Sequence, residues 1–61
     1  MIVIVAVVMV GPKPNYNWIG TLLRRPGEST QELFVRAEAW GREKASAGYD
    51  EIWVEVMEAQ P

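Results

Sequence analysis

Residues 2–10 read IVIVAVVMV, and no other stretch limits the possible fold as strongly. The run is about nine residues long, against roughly 20 for a helix that spans a bilayer. It lacks the basic flank and the small-x-small site of a secretory leader. Its valines and isoleucines lose rotamer freedom in a helix and pack well on a pleated surface, so the stretch is expected to form a strand over 2–10. Alternation then sends Ile2, Ile4, Ala6, Val8 and Val10 to one face and Val3, Val5, Val7 and Met9 to the other. Both faces are apolar. A strand with one face in water carries polar residues at every second position, so this one belongs in the middle of a sheet, covered on both sides.

GPKPNYN at 11–17 reads as a loop, because Pro12 and Pro14 remove two backbone donors and Asn15 and Asn17 tolerate turn conformations. A second strand is expected over 18–25. Plain alternation places Trp18, Gly20, Leu22 and Arg24 on one side and Ile19, Thr21, Leu23 and Arg25 on the other, with Gly20 marking a weak point or a bulge. Pro26 and Gly27 suit the two central positions of a type II turn. Ser29-Thr30-Gln31-Glu32 has the capping-box spacing, which predicts a helix over 30–47 with Gly48 as its stop. Leu33, Phe34, Ala37, Trp40, Gly41 and Ala45 fall in one arc of that helix. Glu32 with Arg36 and Glu38 with Arg42 are spaced as i, i+4 pairs.

A third strand is expected over 50–58, with Ile52, Val54 and Val56 on the face that meets the helix and Glu51, Trp53, Glu55 and Met57 on the other. The order strand, strand, helix, strand then gives a single small α+β domain over 1–61. Its helix bridges the second and third strands across the first, for a mainly antiparallel sheet in the order 2-1-3. One helix covers one face only. The other face, carrying Val3, Val5, Val7, Met9, Trp18, Trp53 and Met57, is expected to meet a second copy, since a chain of 61 residues has little interior of its own and two-fold homodimers are the commonest soluble oligomers.

The chain contains neither cysteine nor histidine. Disulfides, thiolate metal sites and cysteine nucleophiles are therefore excluded, along with the commonest general base, and no enzymatic activity, metal or cofactor is expected. Six basic and eight acidic residues give a net charge of −2 with no basic stripe, which argues against nucleic acid as a partner. Glu51 and Glu55 read as a solvated acidic edge.

RRPGEST at 24–30 is the one candidate ligand site. Arg24 and Arg25 enter the first turn of a helix, where Ser29 and Thr30 bring unpaired amides, so a phosphate or carboxylate has suitable chemistry to meet. Glu28 and Glu32 compete for the same groups. The reading that results is a cytoplasmic, non-enzymatic homodimer that works through protein–protein contacts, with a heterologous protein as a further partner. An anion-binding or regulatory module at the corner is the alternative, and a small inhibitor from a mobile element is a third, resting on size and charge alone.

Overall fold

The computed structural model describes residues 1–45 and 51–60 and contains strands β1 (Val3–Val10), β2 (Asn17–Leu23) and β3 (Ile52–Ala59) with one helix, α1 (Thr30–Lys44). The strands form an antiparallel sheet in the order β2-β1-β3. The strand that is apolar on both faces is thus the central one, as its composition requires.

α1 lies on the face of Ala6 and Val8. These two residues, with Leu33 and Ala37 from the helix, are fully buried, and Ile4, Leu22, Trp40, Ile52, Val54 and Val56 close around them. The helix begins where the sequence caps it. The Glu32 amide donates to Ser29 Oγ at 3.1 Å, and the Ser29 amide donates to Glu32 Oε1 at 2.8 Å. Such a cap contributes about 1 kcal/mol, against about 1.5–3 kcal/mol for burying a side chain such as Leu33. Capping therefore sets where the helix starts, and the apolar arc holds it on the sheet.

Several boundaries differ from the expected ones. β1 begins at Val3, one residue late, because Ile2 is left exposed past the last cross-strand pair. β2 begins at Asn17, expected to close the loop, because Asn17 pairs with Val10, and it ends at Leu23: the Arg24 amide still donates to Ile4 O at 2.9 Å, but the turn then starts, closed by the Glu28 amide on Arg25 O at 3.0 Å. Gly27 there has φ 81°, the positive value a type II turn needs. α1 ends at Lys44, with Ala45 in extended backbone, its amide donating to Gly41 O. Gly48, expected to stop the helix, and Asp50, expected to open the third strand, lie outside the described residues. β3 runs on to Ala59 because Val3 pairs with it.

The largest departure from simple alternation is in β2. Val8 pairs with Gly20 and Met9 with Trp18, so Ile19 is an extra residue, a β-bulge. Ile19 packs against the core, and Trp18 is turned to the side of Thr21, to whose Oγ1 its indole N–H donates at 3.1 Å. Trp18 therefore does not share a face with Gly20 and Leu22. Gly20 makes room for the helix: a Cβ there would stand 2.4 Å from Trp40 Cη2.

Gly41 has the same role from the helix side. A Cβ built on it would meet Val8 Cγ1 and Ile52 Cγ2, both at 2.9 Å. Alanine improves helix propensity by about 1 kcal/mol, whereas overpacking a core costs typically about 1–3 kcal/mol, so the clash outweighs the propensity. Gly41→Ala should lower stability by about 1 kcal/mol in urea unfolding. Combined with Val8→Ala, which removes one of the two clashing methyls, its cost should shrink, giving a favourable coupling energy in the double-mutant cycle.

Candidate functional site

The sheet face turned away from α1 brings together most of the large apolar side chains that remain exposed. Register sets them in rows across the three strands: Trp18, Met9 and Trp53; Thr21, Val7 and Glu55; Leu23, Val5 and Met57. Trp18 is 64% and Leu23 62% exposed, Trp53 43% and Met57 40%. Val5 is buried although no helix covers it, because its cross-strand neighbours Leu23 and Met57 flank it. Val3, Val7 and Met9 are half-buried in the same way. All seven residues assigned to this face from the sequence lie on it. Glu55 is its one charged group among the described residues of the three strands.

The loop before β2 extends the face at one end. The Tyr16 ring meets Trp53 edge-on, with centroids 5.3 Å apart and an interplanar angle of 65°. Its hydroxyl donates to the Glu51 carboxylate, which also lies 3.8 Å from Lys13 Nζ, and the Gly11 amide donates to Glu51 O at 2.9 Å. That hydrogen bond holds the Tyr16 phenol above its ordinary pKa, since the proton is shared with a carboxylate. Lys13, Tyr16, Glu51 and Trp53 thus form a small cluster that ties the loop to the start of β3.

The RRPGEST corner is built around Glu28. Arg36, two turns into the helix, forms a bidentate pair with it: Nε donates to Oε2 at 2.8 Å and Nη2 to Oε1 at 2.9 Å, while Nη2 also donates to Leu23 O at 2.7 Å. The Arg25 amide adds a donor to Glu28 Oε1 at 3.0 Å. The Glu28 side chain is only 11% exposed, and the Arg36 guanidinium, helped by that amide, holds its carboxyl well below the usual range, at about 2. Arg24 Nη1 is spent on the Glu28 carbonyl at 2.9 Å. The expected Glu32–Arg36 pair is therefore not formed; Glu32 closes the cap, and its Ser29 bonds lower its own pKa. Arg24, Arg25, Ser29 and Thr30 are adjacent and exposed, while the Glu28 carboxylate takes the Arg36 guanidinium and the Arg25 amide and the Glu32 carboxylate takes the Ser29 amide.

A shallow depression of about 220 Å³ beside Ile2, Glu58, Ala59 and Gln60 holds no cluster of reactive groups. Among the described residues no group of three or more acidic side chains is placed to hold a metal ion, and no helix is long and apolar enough to cross a membrane. No protein-family model, curated protein or solved structure matches the chain.

Sequence reasoning did not assign Thr21, Leu23 and Tyr16 to the open face, or Arg36 to Glu28. The Ile-Gly pair at 19–20 is the signal for the bulge that orders the first two; Tyr16 and Arg36 are placed by folding alone.

The Glu28 geometry has a pH consequence. A carboxyl whose folded pKa is lowered contributes stability that is present above its ordinary value, near 4.5, and is lost as pH falls toward about 2. Urea midpoints should therefore fall between about pH 4.5 and about pH 2. Glu28→Gln should lower the midpoint at about pH 7 and flatten that acid limb, leaving the smaller contribution of Glu32.

Proposed function

We propose that this is a cytoplasmic, non-enzymatic interaction protein that acts as a homodimer, with the open sheet face as its interface. The observation that carries this reading is the placement of Trp18, Leu23, Trp53 and Met57 together, exposed, on the one sheet face that has no helix. Patches of large apolar side chains mark association surfaces, and tryptophan is over-represented among the residues that dominate their energetics. The molecule measures 37 × 19 × 14 Å, so its thin dimension holds two layers, whereas a sheet apolar on both faces calls for three.

A second copy supplies that third layer with a surface of matching composition. Three strands about 4.8 Å apart and eight residues long at about 3.4 Å each give a footprint of roughly 14 by 27 Å per copy. With side-chain relief two copies bury on the order of 1,000 Å² together, at the lower edge of specific interfaces. A dimer that dissociates on dilution is the consequence. Pairing leaves Glu51 and the 11–16 loop at the edge of the interface, where they offer an aromatic-edged surface to a heterologous protein, with Glu58 apart from them on the helix side.

An anion-binding role for the RRPGEST corner has less support, because the corner supplies its own anions in Glu28 and Glu32. Ser29 is likewise committed to the helix cap.

Light scattering on a sizing column should give twice the chain mass at high concentration, falling toward the monomer on dilution. Trp53→Glu and Leu23→Glu change residues already exposed in one copy, so both variants should stay folded by circular dichroism and become monomeric. Val5→Glu is a poorer probe, since Val5 is buried within the protomer. Wild-type protein that stays monomeric at millimolar concentration would remove the proposal.

A further inference from the structure

The charge pattern of the two edge strands selects how a second copy sits on the open face, given the dimer proposed above. β3 carries Glu55 on that face, with Glu51 just before it and no base among its residues. β2 carries no acid, places Thr21 in the same row as Glu55 and runs directly into Arg24 and Arg25. Two-fold pairing of sheets face to face has two basic forms. An axis across the strands lays β3 on the partner's β3 and, with the sheets in full overlap, sets the two acidic strands against each other. An axis along β1 lays β3 on the partner's β2.

We infer that the two-fold axis runs along β1, so that each acidic β3 covers the other copy's β2 and Glu55 accepts a hydrogen bond from the partner's Thr21. The hydroxyl is prepared for this. Thr21 Oγ1 accepts from the Trp18 indole, which leaves the hydroxyl hydrogen to donate. The same operation sets Trp53 against the partner's Trp18, an aromatic pair at each side of a central seam of Val5, Val7 and Met9. It also settles the orientation of the dimer: strands of the two copies run in the same direction, and both 11–16 loops lie at one end, where two Tyr16–Glu51–Lys13 clusters form a single composite surface.

The chain has no cysteine, so one introduced residue reports the arrangement cleanly. Asn15→Cys lies in the exposed loop and takes a nitroxide label. Pulsed electron-electron resonance on the labelled dimer should give a short distance, on the order of 20 Å, since sheets pack about 10 Å apart and both loops share one end. An axis across the middle of the strands separates the labels by a strand length, about 27 Å before the loops and linkers are added, and a distance of about 30 Å or more would overturn the inference while leaving the dimer intact. Glu55→Gln gives a second readout. In the proposed arrangement it weakens the dimer or leaves its Kd unchanged within about twofold; a Kd tightened tenfold by the loss of charge would mean that Glu55 faces its own counterpart. A monomer by light scattering at labelling concentration would overturn the dimer itself, an outcome distinct from either distance.

Discussion

Everything in this structure follows from a central strand that cannot tolerate water on either side. β1 is apolar at consecutive positions from Val3 to Val10, so it sits between two strands, and covering both its faces would take two layers. Its edges are satisfied within the chain, by β2 and β3. One face is satisfied by α1, through Leu33, Ala37, Trp40 and the close approach that Gly41 and Gly20 permit. The other is left with Trp18, Leu23, Trp53 and Met57 partly screening the valines beneath them. A dimer is proposed because that screening is incomplete.

The polar residues do a different kind of work, and most of it is local. Ser29 and Glu32 begin the helix; Glu28 and Arg36 lock the turn before it to the helix's second turn and to the end of β2; Lys13, Tyr16 and Glu51 fasten the first loop to β3. Each group brings together segments whose chain direction changes, where few apolar contacts are available. Ser29, Glu28, Glu32 and Arg36 are thereby engaged within the chain, and Arg24 meets the Glu28 carbonyl.

The amino-acid order made much of this architecture legible. Dual-faced hydrophobicity identified β1 as central, the capping box located the first residue of α1, and alternation in 52–57 separated the core residues Ile52, Val54 and Val56 from Trp53 and Met57. These readings succeeded because each rests on a local rule of short period. Where a single extra residue intervened, the rule inverted: the bulge at Ile19 turned Trp18 away from Gly20 and Leu22 and toward Thr21. Partners distant along the chain were likewise out of reach, and Arg36 took Glu28 over the nearer-seeming Glu32 because the cap had already claimed Glu32.

The sequence by itself determined the order and type of the elements, the central strand, and the fact that one sheet face would lack a cover, because patterning and capping act over a few residues and need no knowledge of the whole. Only the tertiary structure decided that Thr21, Leu23 and Tyr16 join the open face, that Gly20 and Gly41 are the points where α1 meets the sheet, and that Glu28 pairs with Arg36. Those outcomes depend on register, on one bulge and on distances between segments far apart in the chain, and such quantities exist only once the chain has folded.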